Sequence, residues 1–483
     1  MLDSLKRFLR LPLHLSSLET TWLFAPFAVW LSYHPLVQLG RNATMHFELS
    51  VTVLFVALLA LMSVPIVWRN RRRLMQDKRF LPVSIFVVIN GISLAWSVDP
   101  LRGFMTFGLL GTLYLVFLGS ICEMRKLAQL IPALTKLLII SALLISVLAL
   151  VQMIAGIWID QNTALLCRGC TAQQFGFVRP NVFAIEPQFL GNLLLAPGLI
   201  LLHFFINQNH RYKYTGWALF FVTTTLLLTL SRGAIFAFAI GALVMLVVEL
   251  RSTKIFGRIT ALFVSAFVAC LLWQASLAAM HPKLDTSFIQ AIRVSVNQLS
   301  MGVITLPSPP ESTAQEPNQP RQATESVKEP TRKTAEKAPN FDGYVEESTN
   351  TRLELSSLSF QLWHESLPRA IFGVGVGGSG QALRDRFPNK IGQREIVQNE
   401  YVEILLENGL LGITIFGSII ALLLFVLRRS KWLWSVVVAF LVQWNFFSGY
   451  PNALHIYLIL ILCSIYALYP LKQTLAKSPK PTT

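Results

Sequence analysis

Long apolar runs constrain this chain more than any other feature of its sequence. Hydrophobic residues make up 53% of the chain and charged residues 14%, whereas an average soluble domain carries about 25% charged residues. A run of about 18 apolar residues is long enough to cross a hydrocarbon core about 30 Å thick. The sequence therefore predicts an integral membrane protein and excludes a soluble globular one.

The apolar runs predict about twelve membrane helices. They lie at residues 18–39, 47–68, 80–98, 101–122, 131–158, 181–206, 213–230, 233–250, 258–278, 410–427, 432–449 and 452–470. Residues 1–278 then hold helices one to nine, residues 279–398 form one long loop, and residues 399–483 hold the remaining helices and a tail. The expected fold class is an all-α integral membrane protein.

The positions of the basic residues predict the orientation, because cytoplasmic loops carry an excess of Lys and Arg. Lys6, Arg7 and Arg10 share a side with the basic loops at 68–80, 123–130, 210–214, 249–258 and 428–431. Both termini are then cytoplasmic, and the 279–398 loop is extracytoplasmic. The net charge of +16 reflects this topology, and we do not expect nucleic acid as a partner.

The segment 217–250 decides whether the chain crosses the membrane an odd or an even number of times before the long loop. As one helix it would be about 50 Å long, and it would leave two basic loops outside. We therefore expect two short spans that meet at Ser231-Arg232-Gly233. This arrangement places Arg232 at the outer mouth of the membrane.

The long outer loop has two parts that differ in composition. Residues 306–340 are rich in Pro, Glu, Thr and Lys, which predicts disorder because they cannot bury a core. Residues 345–368 have a helical apolar pattern typical of an interfacial helix. The sequence FGVGVGGSG at 372–380 lacks the GxxxxGK[ST] order of a phosphate loop and indicates a flexible turn. A basic cluster follows it: Arg384, Arg386, Lys390 and Arg394. This cluster is either a surface that contacts solvent or lipid headgroups, or a site that holds an anionic substrate.

The segment VQNEYVEILLENGLLG at 397–412 places acids directly before an apolar run. Counted as one helix, residues 398–427 are about 45 Å long, which exceeds the hydrocarbon core by about 15 Å. The first turns should therefore stand at or above the outer headgroups. Glu400, Glu403 and Glu407 share one helix face, and carboxylates also suit a helix N-terminus for electrostatic reasons alone.

Four motifs, in their order along the chain, resemble those of the O-antigen ligase family of membrane glycosyltransferases, which also includes O-antigen polymerases. Gln398-Asn399, nine residues, and Gly409-Leu-Leu-Gly412 are similar to its H[NSQ]-x9-G-x-x-G signature. The segments STNTRLELSSLSFQLWHESLPRAIFGVGVG, TLSRGAIFAF and GFVRPNVFAIEPQFLGNLL resemble its loop arginine segment, its Ser-Arg-Gly hairpin and its Arg-to-Asn entry to a helix. The resemblance implies a GT-C-like architecture with a long outer loop between helices nine and ten.

The resemblance also implies a reaction and its partners. A glycan would pass from an undecaprenyl-diphosphate-linked donor to a saccharide or lipid acceptor hydroxyl on the outer face of the cytoplasmic membrane. No metal and no cofactor are expected. The partners are then the donor, the acceptor and membrane lipids.

Arginines are the expected diphosphate ligands, because fixed cations stabilise a leaving group that gains charge and the guanidinium binds phosphate oxygens in pairs. Arg232 is the first candidate, since a charge in apolar spans indicates function, although an interfacial arginine that snorkels to the headgroups is the alternative. Arg179 and Arg352 follow. Glu186, between Pro180 and Pro187, and Arg394 are possible supports.

The general base is where this chain departs from the family. The family's His resembles a base, and here that position is Gln398, whose amide cannot accept the acceptor's proton at neutral pH. Either Gln398 and Asn399 orient the acceptor, or another residue takes the proton. Glu400 is the preferred base because of the neighbouring carboxylates, and His364 is the other candidate, with an interfacial side chain as the alternative.

Two further interpretations remain open. Cys167 and Cys170, in LLCRGC, lie outside under this topology, where an oxidising compartment favours a disulfide; the pair has no further ligands at metal spacing. A lipid-linked oligosaccharide flippase or a non-catalytic scaffold of an export complex is the alternative to an enzyme. A transporter predicts charges near the span midpoints, whereas these charges lie at the outer ends.

Overall fold

The computed structural model is dominated by helices and describes most of the chain. The described residues are 15–31, 35–39, 47–77, 80–158, 179–184, 187–207, 214–250, 252–280, 288–289, 292–293, 296, 341–391, 397–428, 430–448 and 454–469. The N-terminal elements are α1 (Ser17–Trp22), α2 (Ala25–Ala28), β1 (Pro35–Leu39), β2 (Phe47–Ser50), α3 (Val51–Gln76), α4 (Leu81–Ser93), α5 (Pro100–Cys122) and α6 (Met124–Trp158). The others are α7 (Pro187–Ile206), α8 (Thr215–Leu228), α9 (Arg232–Glu249), α10 (Thr253–Met280), α11 (Phe341–Trp363), α12 (Leu367–Phe372), α13 (Ser379–Arg386), α14 (Glu400–Leu427), α15 (Trp432–Gln443) and α16 (Leu454–Leu468).

Seven of the described helices are long and apolar enough to cross a membrane: α3, α5, α6, α7, α9, α10 and α14. Shorter apolar helices cover four further predicted spans, at Leu81–Trp96, Thr215–Leu228, Trp432–Gln443 and Leu454–Leu468. Every predicted span from the second onward therefore contains an apolar helix. A multi-pass α-helical membrane protein is confirmed.

The first predicted span, 18–39, is wrong as a single helix. Its residues form α1, α2, a 3-10 turn at Val29–Leu31 and strand β1, which pairs antiparallel with β2. Pro26, in the first turn of α2, removes the backbone donor that a continuous helix needs at that point. The β1–β2 hairpin is also the one described departure from an all-α fold.

Helix α7 lies at the centre of the bundle. Side chains are buried on all of its faces along most of its length, which is typical of a helix surrounded by other helices. Close approach is possible where small residues meet. A Cβ atom at Gly241 of α9 would lie 2.9 Å from both Leu199 of α7 and Ala439 of α15, so this glycine lets three helices pack together.

Helix α14 is broken at Gly409, which has φ 64° and ψ −164°. The expectation of one continuous helix from 398 to 427 is therefore corrected. Residues 400–408 form a first helical segment, and residues 410–427 form a second about 27 Å long, close to the thickness of the hydrocarbon core. The break separates the acidic segment from the apolar one.

The glycine loop, residues 373–378, closes this break and is not the flexible turn that the sequence indicated. The N–H groups of Val374 and Gly375 donate to the carbonyl oxygens of Leu406 and Glu407, each over 2.9 Å. Those carbonyls lose their helical donors where the chain turns at Gly409. Residues 373–380 are all buried, so their backbone polar groups need partners within the protein.

The same loop packs against the junction of α4 and α5. The N–H group of Val98 donates to the carbonyl of Val374 over 3.3 Å, and the Ser97 hydroxyl donates to the carbonyl of Val376 over 2.9 Å. Gly373, Gly375 and Gly377 have φ of 74°, 91° and 71°, a region that favours glycine. The loop thus joins α14 to an element far away in sequence.

The predicted interfacial helix at 345–368 corresponds to α11, which ends at Trp363, with Pro368 in the first turn of α12. Leu355, Leu358 and Leu362 of α11 are buried against the acidic segment of α14. One face of this helix therefore packs on protein. The predicted disordered segment 306–340 lies outside the described residues.

Gly375→Ala tests the fit of the glycine loop. A Cβ there would lie 2.4 Å from the Cα of Ser97, and alanine is strained at this positive φ, so we expect a loss of stability of more than about 1 kcal/mol. Thermal unfolding of the detergent-solubilised protein measures it. Gly417→Ala is the control, because a Cβ at Gly417 meets nothing within 4 Å; equal melting temperatures for the two variants would contradict the fit.

Candidate active site

The acidic segment of α14 is buried at one end of the bundle. Asn399 caps the helix, and its side-chain oxygen accepts from the N–H groups of Tyr401 (3.1 Å) and Val402 (3.2 Å). The side chains of Glu400, Glu403 and Glu407 have exposed fractions of 0%, 3% and 1%. Carboxylates are rarely buried without partners, so their contacts define what this segment does.

Glu400 contacts the last described helix. The Tyr457 hydroxyl of α16 donates to Glu400 Oε1 over 3.2 Å. The backbone N–H of Glu400 donates to the carbonyl of Trp444, just after α15, over 2.9 Å. Helices α15 and α16 therefore hold the start of α14 and orient this carboxylate.

Glu403 and Glu407 face the glycine loop and α13. The Ser379 hydroxyl donates to Glu407 Oε1 over 2.8 Å and lies 3.5 Å from Glu403 Oε1. The positive charge of Arg102, near the start of α5, acts on both carboxylates. These two acids thus anchor the loop, whereas Glu400 points to a different set of partners.

Arg179 contacts the turn between α8 and α9, which ends at Arg232. Arg179 has 8% of its surface exposed, and its Nε donates to the carbonyl of Thr229 over 2.8 Å. Leu230 has φ 49°, which is unusual outside glycine and reverses the chain before Arg232 begins α9. The expected hairpin at Ser231-Arg232-Gly233 is thus a short turn between two helices.

The turn after α15, residues 444–448, joins this hairpin to Glu400; we call it the Trp444 turn. A Cβ atom at Gly233 would lie 2.6 Å from Phe446 Cβ, so the start of α9 packs directly on the turn. The Trp444 carbonyl accepts from Glu400, as described above. Glu400 and Gly233, the residue after Arg232, therefore both contact one five-residue segment.

Arg352 of α11 reaches the same turn through one intermediate side chain. Its Nη2 donates to Gln188 Oε1 over 2.9 Å, and Gln188 Nε2 donates to the carbonyl of Phe446 over 3.0 Å. Gln188 lies in the first turn of α7. The Trp444 turn is thus contacted by Glu400 directly and by Arg352 through Gln188. Arg232 lies next to Gly233, which packs on the turn, and Arg179 contacts the α8–α9 turn at Thr229.

Further polar side chains lie beside this turn. Asn192, one helical turn after Gln188, and Gln443, at the end of α15, are fully buried. Their amide groups have no hydrogen-bond partner among the described residues. Each amide offers both donors and an acceptor, which suits the binding of hydroxyl groups.

Other predicted residues lie apart from this cluster. Gln398 is exposed. His364 is exposed just after α11, and its Nδ1 lies 2.5 Å from the carbonyl oxygen of Phe360. The described contacts do not link either side chain to Glu400. Glu186, Arg394, Cys167 and Cys170 lie outside the described residues.

The basic cluster after the glycine loop is partly paired with acids. Arg386 donates to Glu365 over 2.5 Å, and this hydrogen bond is the main reason that the pKa of Glu365 is lowered. Lys390 lies 3.5 Å from Glu354. Among the described residues, no group of three or more His, Cys, Asp or Glu side chains is arranged to hold a metal ion.

Sequence reasoning missed Ser379, Tyr457, Gln188 and Arg102. Tyr457 is 57 residues from Glu400, and Gln188 is 164 residues from Arg352, so no local pattern connects them. A weak signal existed for Ser379, because the alternation of glycines at 373, 375 and 377 fits a loop that other backbone approaches closely. Gln188 lies two residues after Glu186, which the sequence suggested as a support of the site.

The fold and this site define a multi-pass α-helical membrane protein with carboxylates and arginines gathered at one end of its bundle. The family model described as O-antigen ligase matches residues 217–417. This part of the chain is therefore similar to the O-antigen ligase family, as the motifs predicted, and the similarity supports a membrane enzyme. No curated protein sequence matches the chain significantly.

Ser379→Ala tests the anchoring of the glycine loop. It removes the hydroxyl that donates to Glu407, and a buried carboxylate that loses a donor destabilises the fold by about 1–3 kcal/mol. We expect a lower melting temperature in detergent. Ser418→Ala, on the exposed side of the same helix α14, is the control and should change little. A melting temperature equal to that of the control would show that Glu407 does not depend on this contact.

Proposed function

We propose that the protein transfers or polymerises a glycan, using an undecaprenyl-diphosphate-linked donor and an acceptor hydroxyl. The reaction takes place at the outer face of the cytoplasmic membrane, with both termini in the cytoplasm. The observation that carries the proposal is that one short turn contacts the buried residue Glu400, Gly233 beside Arg232, and, through Gln188, Arg352. The matched O-antigen ligase domain contains all three residues.

The arginines stabilise the leaving group. As the bond between the anomeric carbon and the diphosphate oxygen breaks, its electron pair moves to the diphosphate. Arg232 begins α9 at the end of an apolar bundle, where a fixed cation acts more strongly than in water. Arg352, held by Gln188, and Arg179, held by the Thr229 carbonyl, supply further donors for phosphate oxygens. This chemistry needs no metal ion.

Glu400 is the general base. The acceptor oxygen forms a bond to the anomeric carbon and loses its proton to the carboxylate. Two features support Glu400 over Glu403 and Glu407: it is hydrogen-bonded by Tyr457 rather than by the loop anchor Ser379, and its backbone is attached to the Trp444 turn. Gln398, at the position of the family histidine, is exposed, and Asn399 is engaged as a helix cap.

Acceptor sugars bring hydroxyl groups that need partners. The amides of Asn192 and Gln443, which lack partners among the described residues, supply donors and acceptors of the type that sugars require. They lie next to Gln188 and the Trp444 turn in sequence. We therefore assign the acceptor or the donor sugar to this side of the site.

Arg232→Ala is expected to lower transfer by about 10²–10³-fold, the usual effect of removing one preorganised transition-state donor. The measurement is a transfer assay with the reconstituted protein and an undecaprenyl-diphosphate glycan. Arg258→Ala, an exposed arginine in α10, is the matched control. Transfer by Arg232→Ala at the control rate would remove the diphosphate-binding role. One addition per acceptor identifies a ligase, and a ladder of products identifies a polymerase.

Glu400→Gln is expected to lower the rate of transfer by about 10²–10⁴-fold, because an amide cannot take the proton. Donor binding should change little, since the carboxylate does not contact the diphosphate. Glu354→Gln, an exposed carboxylate in α11, is the control and should retain activity. A rate for Glu400→Gln equal to the parent's would exclude Glu400 as the base. Restored activity in Glu400→Gln combined with Gln398→His would show that position 398 also reaches the acceptor.

A further inference from the structure

Arg179 lies on a turn, residues 179–184, that precedes α7 in the chain. The N–H group of Ala184 donates to the carbonyl of Asn181 over 2.8 Å and closes the turn. The Nε atom of Arg179 donates to the carbonyl of Thr229, as described above. Because an arginine side chain has many rotamers, this contact alone does not fix the backbone that carries it. The position of Arg179 therefore also depends on what holds the turn.

A buried amide of α6 holds this turn. Gln152 lies six residues before the end of α6 at Trp158. Gln152 Nε2 donates to Asn181 Oδ1 over 2.6 Å, and Gln152 Oε1 accepts from the N–H groups of Asn181 (3.0 Å) and Val182 (2.8 Å). Gln152 and Asn181 are 2% and 1% exposed. One side chain therefore uses its donor and its acceptor together to bind a single turn.

The backbone beside the Arg179–Thr229 contact is strained. Two non-glycine residues in the described part of the chain have positive φ, Val182 at 51° and Leu230 at 49°, and both lie within three residues of this contact. Positive φ is unusual for a β-branched residue such as valine. Such conformations persist only where surrounding contacts impose them, and they cluster at functional sites. At Val182, the contact is the hydrogen bond from its N–H group to Gln152.

The turn on the other side of the contact has a similar support. Gln274 of α10 is 1% exposed, and its Nε2 donates over 3.4 Å to the carbonyl of Leu228, two residues before Leu230. Met153, the neighbour of Gln152 on α6, and Leu228 belong to one buried apolar cluster. Helices α6 and α10 thus each hold one of the two turns by an amide.

We propose that Gln152 is a positioning residue for the transfer reaction. By holding the 179–184 turn in its strained form, it sets the place of Arg179 against the lipid-linked diphosphate of the donor. The inference rests on the proposed function, in which Arg179 binds phosphate oxygens. A fixed cation stabilises developing charge well because it needs no reorganisation during the reaction. An arginine on a loose turn loses that advantage, so Gln152 acts through Arg179.

The test is a double-mutant cycle in the reconstituted transfer assay, measured as kcat/KM for the donor. Gln152→Met keeps the length of the side chain and removes the amide. We expect kcat/KM to fall about 10- to 100-fold, since a misplacement of about 1 Å is able to cost that much. In the Arg179→Ala background, the same substitution should change kcat/KM by less than about twofold, because two residues that act as a unit are not additive. KM for the acceptor should not change, because Arg179 contacts the donor.

Ser146→Ala is the matched control. Ser146 is also on α6 and is 0% exposed, and its hydroxyl has no hydrogen-bond partner among the described residues, so this variant should keep the parent's kcat/KM. Asn181→Ala is a second variant, which breaks the same contact from the turn and leaves α6 unchanged. The cycle is run with it as well, and it replaces Gln152→Met if that variant does not fold in detergent.

A loss of kcat/KM that disappears in the Arg179→Ala background supports the proposal. The same loss in both backgrounds, or a raised KM for the acceptor, overturns it, because the amide then acts on the fold in general. Parent-like transfer by Gln152→Met also overturns it, and the proposed function still stands if Arg179→Ala is impaired. Parent-like transfer by Arg179→Ala removes the phosphate-binding role of Arg179 itself, and this inference with it.

Discussion

The pairing of the glycine loop with the broken helix α14 is the interaction on which the rest of the structure depends. A helix that stops inside the protein leaves carbonyl groups without their helical donors. The N–H groups of Val374 and Gly375 satisfy the carbonyls of Leu406 and Glu407, and the loop continues onto the junction of α4 and α5. Glycines are required at three alternate positions because the loop runs between two backbones.

This break lets one helix serve two environments. Residues 410–427 are apolar and have a length that suits the hydrocarbon core, while residues 400–408 carry three buried carboxylates. Two of these acids hold the loop through Ser379, and Glu400 is left to contact Tyr457 and the Trp444 turn. In this segment, Glu403 and Glu407 therefore have a structural role, and Glu400 is the carboxylate that is available for chemistry in the proposed reaction.

The polar groups of the bundle end are joined by backbone contacts as much as by side chains. Thr229, Trp444 and Phe446 each offer a carbonyl oxygen to a predicted residue or to its immediate partner. Such contacts fix the positions of Arg179 and of Gln188, the partner of Arg352, through the backbone of neighbouring turns.

Sequence alone determined the membrane class, every apolar segment from the second predicted span onward, and the resemblance to a family, because hydrophobic runs and short motifs are local properties of the chain. It also proposed Glu400, Arg232, Arg179 and Arg352 one by one, without any distance between them. Only the tertiary structure decided that α14 breaks at Gly409, that the glycine loop is buried, and that the first predicted span divides just before Pro26. It alone revealed Gln188, Ser379 and Tyr457 as partners, since contacts between helices depend on packing across tens to hundreds of residues, which no local pattern records.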